Sequence, residues 1–142
     1  MVGLYLRLRK LTTKYLKYDL VEVKSVTADS GELSGKTGTI EFQIPKNSWI
    51  IGYSINNEAV ITDDGGNDTY TAAFSAGINA QINGGFAIAS AKNTKIKSMG
   101  DMGISAGPVV TISLTPNGTN FTGGKVKATV VYMTIDELPD AE

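Results

Sequence analysis

Ser48-Trp49-Ile50-Ile51-Gly52-Tyr53-Ser54-Ile55-Asn56 is the stretch on which the fold turns. Trp49, Ile51, Tyr53 and Ile55 fall at every second position, the spacing that places side chains on one face of a strand. The segments on either side alternate in the same way. Upstream, Ile40, Phe42 and Ile44 interleave with Glu41 and Gln43. Pro45 then ends the run, because proline has no N–H to give a ladder. Downstream, Val126, Ala128, Val130 and Tyr132 share a face of Lys125–Thr134. Trp49, Ile51, Tyr53, Ile40, Phe42, Val130 and Tyr132 are therefore the expected core.

Further strands are expected at Leu20–Thr27, Ala59–Thr62, Tyr70–Ala76, Phe86–Ala89, Thr94–Lys97 and Val109–Leu114. Turn residues separate them, most plainly Asp63-Asp64-Gly65-Gly66-Asn67-Asp68 and Asn117-Gly118. About eight strands at a spacing of roughly 8–12 residues predict an all-β fold, a single β-sandwich or jelly-roll-like domain. No fixed-period repeat and no internal linker interrupts it. The expected organisation is a basic N-terminal arm over 1–19, a β-sandwich domain over 20–135 and an acidic C-terminal tail over 136–142.

A chain of 142 residues is long enough for one core without metal or disulfide staples. It contains no His and no Cys. That removes Ser-His-Asp and Cys-His catalysis, the usual zinc sites, redox motifs and disulfides. The expectation is a protein that is not an enzyme and holds no cofactor or metal. A formal charge of -1 argues against a nucleic-acid coat. No apolar run approaches the ~20 residues of a membrane span. Met1–Lys10 lacks the apolar core of a signal peptide. Synthesis in a cytoplasm without export is expected, with no membrane partner.

Four motifs carry a sharper reading beside a plainer one. Gly31-Glu32-Leu33-Ser34-Gly35-Lys36-Thr37 resembles a phosphate-binding loop. It is one residue short, and a strand is expected where that motif needs a helix. Asp63, Asp64, Asn67 and Asp68 offer oxygen ligands to a cation, but a hairpin loop uses the same residues. Asn67-Asp68-Thr69, Asn117-Gly118-Thr119 and Asn120-Phe121-Thr122 match the glycosylation pattern, as turn-rich sequence does by chance. Asp19, Glu22, Glu41 and Glu58 could supply a carboxylate pair. Their places beside outward strand positions read as solvated face.

The first nineteen residues differ from the rest. Arg7, Arg9, Lys10, Lys14 and Lys17 are basic, and Asp19 is the only acid. Leu4, Leu6 and Leu8 alternate as in a strand, while Leu4, Leu8, Leu11 and Tyr15 fit a helix. Leucines and tyrosine interleaved with cations suit a docking arm for another protein, beside the plainer reading of a solvated or self-packed segment and that of a contact with nucleic acid or an acidic membrane surface. Its expected contact residues are Leu4, Leu6, Arg7, Leu8, Arg9, Lys10, Lys14, Tyr15 and Lys17.

From Ile44 onward the layout resembles small bacteriophage virion proteins, the head-decoration and head-fibre proteins with a jelly-roll-like domain. The residues that carry this are Ile44-Pro45-Lys46-Asn47-Ser48-Trp49-Ile50-Ile51, the Tyr70–Gly77 strand and the Gly/Ala-rich middle. Val109–Leu114, a Thr/Asn/Gly turn and Gly123-Gly124-Lys125-Val126-Lys127-Ala128-Thr129-Val130-Val131-Tyr132 complete it. The similarity covers about two-thirds of the chain, and the basic head is not part of it. The resemblance implies a non-enzymatic capsid auxiliary protein, located in the virion and assembled in the host cytoplasm. It implies a homotrimer that cements capsomers or carries a fibre, with the major capsid protein or other virion proteins as partners. A tail or baseplate protein and a carbohydrate-binding β-sandwich module are the alternatives.

Overall fold

A computed structural model describes residues 21–80, 85–100 and 102–135, and within these there are strands and no helix. The strands in chain order are β1 (Val21–Asp29), β2 (Gly38–Gln43), β3 (Trp49–Asn57) and β4 (Thr62–Asp63). They continue with β5 (Thr69–Ala76), β6 (Ile78–Ala80), β7 (Phe86–Ala89) and β8 (Lys95–Met99). Last come β9 (Gly103–Ser105), β10 (Val109–Pro116), β11 (Phe121–Gly123) and β12 (Val126–Ile135).

One sheet runs β1-β12-β3-β9-β6. The far side of β3 is shared, by β8 against Gly52–Asn56 and by β9 against Trp49. A second sheet runs β2-β10-β5-β7, and β11 pairs with β4. All named pairs are antiparallel. The chain is an all-β sandwich.

The core lies between the two larger sheets. The first contributes Ile50, Ile55, Val126, Ala128, Val130 and Tyr132, and the second Ile40, Phe42, Val110, Ile112, Leu114, Tyr70, Ala72 and Ile88. Tyr53 of β3 reaches across, 5.5 Å from the ring centres of both Phe74 and Phe86. Apolar burial of this kind contributes about 25 cal/mol per Å².

The expected core holds for Ile40, Phe42, Val130 and Tyr132, which are buried, and Tyr53 packs against them half-buried. Trp49 is a correction: it is 40% exposed, while its neighbour Ile50 is fully buried. The cause is a β-bulge. Tyr132 pairs with Ile50 and Val131 with Gly52, leaving Ile51 as the extra residue. One extra residue inverts the facing of everything on one side of it. Ile50 therefore shares the inner face with Tyr53 and Ile55, and Trp49 turns out.

Of the other expected strands, Ala59–Thr62 moves to Thr62–Asp63 and the rest stand within two residues at either end. The strands β6, β9 and β11, three residues each, were not foreseen.

Buried polar groups fix the register between sheets. Asn57 is fully buried. Its Nδ2 donates to the carbonyls of Ala89 and Ala91 at 2.8 and 2.9 Å, and its Oδ1 accepts the Tyr70 hydroxyl at 2.6 Å. Burial pushes the Tyr70 phenol above its ordinary range, so it remains a donor. At the other end of β3, the hydroxyls of Ser48 and Ser105 both donate to the Pro45 carbonyl at 2.6 Å. No buried side-chain nitrogen or oxygen among the described residues lacks a partner.

Candidate functional site

The phosphate-loop likeness does not survive folding. Gly31 and Gly35 take positive φ, the Leu33 side chain is buried, and the segment after Thr37 is β2. No helix N-terminus is there to receive a phosphate. Glu32 instead accepts the Gly124 N–H at 3.1 Å.

The acidic loop is not a hairpin turn, since β4 and β5 belong to different sheets; it is a staple between the β4–β5 and β10–β11 connections. Asp63 accepts N–H bonds from Gly65 (3.0 Å), Asn67 (3.2 Å) and Gly118 (2.9 Å). Asp64 accepts from Thr119 (2.7 Å) and from both Asn120 nitrogens (3.1 Å each). These bonds, the one from Gly118 foremost for Asp63 and the one from the Asn120 backbone for Asp64, hold both carboxyls below their ordinary value. The Asp63 and Asp64 oxygens are thus engaged by donors of the chain itself. Of the glycosylation matches, the Asn117 amide donates to Thr69 Oγ1 at 2.8 Å and the Asn120 amide belongs to the staple.

The carboxylates are dispersed. Glu22 pairs with Lys24 at 3.3 Å and Glu58 with Lys125 at 3.6 Å, both partly exposed. Glu41 is exposed on β2, and Asp19 lies outside the described residues. An open cleft of about 570 Å³ lies between the Val60–Asp68 and Ala89–Lys92 segments. Its ionisable lining residues are Asp63, Asp68 and Lys92, of which Asp63 is already engaged in the staple.

Among the described residues, the outer face of the six-stranded sheet carries exposed apolar side chains at one end. Residues directly opposite in an antiparallel pair project to the same side. Val23 lies opposite Met133, Met133 opposite Trp49, and Trp49 opposite Ile104. This row crosses four strands. Val23 is 60% exposed, Trp49 40% and Ile104 44%. In the next row Ser25, Val131, Gly52 and Met99 are aligned. The Met99 thioether lies where a Gly52 side chain would be, and Met99 is 71% exposed. The remaining rows are polar: Thr27-Thr129-Ser54-Lys97 and Asp29-Lys127-Asn56-Lys95. Scattered apolar residues on a surface need no explanation, but a contiguous apolar patch marks an interaction site.

The sequence held a signal for this patch. Val130-Val131-Tyr132-Met133 is apolar at four consecutive positions, the pattern of a strand covered on both faces. The expected docking residues Leu4, Leu6, Arg7, Leu8, Arg9, Lys10, Lys14, Tyr15 and Lys17 lie outside the described residues.

No known protein family and no curated protein matches the chain. Solved structures do. A chain of the dimeric latent PorU of Porphyromonas gingivalis matches over 81% of this chain and 13% of its own, at 11% identity and TM-score 0.51. A chain of the cyanophage Pam1 capsid asymmetric unit matches over 81% and 86%, at 11% identity and TM-score 0.49. A chain of the capsid of Helicobacter pylori bacteriophage KHP30 matches over 84% and 99%, at 13% identity and TM-score 0.48. Likeness at these identities concerns the fold alone: this chain is a β-sandwich of a widely used kind.

Proposed function

We infer that the chain is a non-enzymatic virion structural protein that decorates or cements a phage capsid, or carries a head fibre, as a small oligomer. A trimer is the oligomer that the sequence resemblance implies. The observation that carries this reading is the apolar row Val23-Met133-Trp49-Ile104 on the outer face of the six-stranded sheet. That surface suits holding on to a protein. The resemblance of the segments from Ile44 to Tyr132 to head-decoration proteins supports the same reading.

In this reading residues 1–19 dock the β domain onto the shell. Leu4, Leu6, Leu8 and Tyr15 supply apolar anchors, and Arg7, Arg9, Lys10, Lys14 and Lys17 meet acidic groups. Anchors supply the burial, while charges guide association and register. Arms on one oligomer act together, because later arms bind at high effective concentration.

The exposure of Trp49 meets one condition for a carbohydrate-binding module. Its row neighbours Val23, Met133 and Ile104 bring no hydrogen-bonding side chain for sugar hydroxyls, and the virion reading stands ahead of it.

The test is to mix the purified full chain with particles that lack it and to locate it by electron microscopy. Occupancy of regular positions on the shell is expected, weakened when Leu4, Leu6 and Leu8 are all changed to Ser. Raised salt should slow decoration before abolishing it, since exposed charges are screened. Particles that stay bare, or a variant that decorates equally, overturn the shell reading and the arm's role respectively.

A further inference from the structure

The polar corner of the outer face gathers cations that no described acid neutralises. Lys95 and Lys97 stand two residues apart on β8 and project, with Lys127 of β12, from the outer side of the sheet. All three are exposed. The ion pairs among the described residues are Lys24–Glu22, Lys125–Asp29 and Lys125–Glu58, and none of them uses Lys95, Lys97 or Lys127. Asp29 lies opposite Lys127 in register, but its carboxylate accepts the Gly31 N–H at 2.8 Å and faces Lys125 at 3.8 Å. We propose that Lys95, Lys97 and Lys127 form a docking site for an acidic protein surface, one that presents carboxylates at every second residue of an extended segment.

The spacing selects such a ligand. Lys95 and Lys97 are about 7 Å apart along β8, and Lys127 lies across β3, two strand spacings or about 10 Å from Lys95. Carboxylates on one side of an extended segment recur at the same interval of about 7 Å. A partner segment laid along β8 therefore meets Lys95 and Lys97 with successive carboxylates, and a second segment of that surface meets Lys127. Between the cations lie Ser54 and Asn56 of β3, whose hydroxyl and amide can donate to the same carboxylates.

Three features favour a protein over a nucleic acid. The two polar rows hold no arginine and no aromatic side chain, the groups that grip phosphates in pairs and stack on bases. The Asp29 carboxylate shares a row with Lys127 and repels a phosphate backbone, whereas a protein surface can set a cation against it. Met99 continues the line of Lys95 and Lys97 on the outer side of β8 and is 71% exposed. Its thioether offers a protein an apolar contact beside the charges. In such a contact the charges guide encounter and register, and the apolar part adds burial. The site would take any acidic protein surface, so it stands apart from the virion reading.

Lysine acetylation read by mass spectrometry tests each cation separately. Lys36 and Lys46, exposed and single in the connections before β2 and β3, are the internal controls. The full chain is acetylated at low salt alone, with poly-L-glutamate, and with a thymidine oligonucleotide of matching charge. Poly-L-glutamate should slow modification of Lys95, Lys97 and Lys127 severalfold and leave Lys36 and Lys46 unchanged. Added salt should restore the rates, because exposed charges are screened. Lys97→Glu should also remove the protection of Lys95 and Lys127 while leaving the thermal melt close to that of the parent. Equal protection of the control lysines, or none at the three, overturns the site. Stronger protection by the oligonucleotide also overturns it, because the corner is then a nucleic-acid surface. Parental protection of Lys95 and Lys127 in Lys97→Glu would show that the three do not act together, and overturns it too.

Discussion

At the end of the sheet where Asn57 pairs with Val126, hydrogen bonds close the molecule; at the end where Trp49 pairs with Met133, apolar side chains face outward. The first end holds the Asn57–Tyr70 network and the Asp63–Asp64 staple, whose polar atoms find partners within the chain. The second end has Val23, Trp49 and Ile104 exposed, and both ends of the described chain emerge beside them. A group that is satisfied internally gives stability and has little left for a ligand. A partly exposed apolar row gives the fold little and gains from association. Among the described residues, the apolar end is the one with apolar surface left for association.

The largest effect on this contrast is expected from Asn57→Ala. The substitution strands the Tyr70 hydroxyl and the carbonyls of Ala89 and Ala91, all at the closed end. Leaving buried groups unpaired costs about 2–3 kcal/mol. A thermal melt of variant against parent reads it. A loss no larger than that of an exposed substitution would mean that Asn57 does not lock the two sheets.

A smaller loss is expected from Asp63→Ala combined with Asp64→Ala, and its pH dependence matters more than its size. Both carboxyls sit below the ordinary value of 3.8 in the fold. Their contribution is complete above that value, where folded and unfolded states are both ionised. It is lost as pH falls through the lowered folded values, because the unfolded chain takes up protons first. The parent should lose melting temperature on acidification through this range. The double variant should melt lower at pH 7 and show a shallower acid decline. Equal acid slopes in the two proteins would remove the staple from the account of the closed end.

Much of this was legible in the sequence, and the misses have physical reasons. Alternation located β2, β5, β10 and β12 because each runs six residues or more with one buried face. The strands β6, β9 and β11 escaped because three residues hold too little alternation to register. The acidic loop was readable as a turn from composition, but its carboxylates accept hydrogen bonds from Gly118, Thr119 and Asn120, more than fifty residues downstream. The arm's leucines and cations were plain in the sequence, whereas the row beside β1 required the register of four strands.

Trp49 is where pattern and fold part, and it supplies the smallest expected effect. A strict period of two over Trp49, Ile51, Tyr53 and Ile55 puts the indole inside, where Trp49→Ala would cost roughly 3–5 kcal/mol. The unpaired Ile51 breaks that period and sends Trp49 to the outer row beside Met133 and Ile104. Trp49→Ala should then cost about 1 kcal/mol, the lost contact of a partly exposed ring at a site that needs no repacking of the core. The same substitution should impair association through this face far more than it lowers the melt. A loss near the buried value would mean that the bulge does not persist in solution. The apolar end would then be an inner layer of the sandwich, and its contrast with the closed end would vanish.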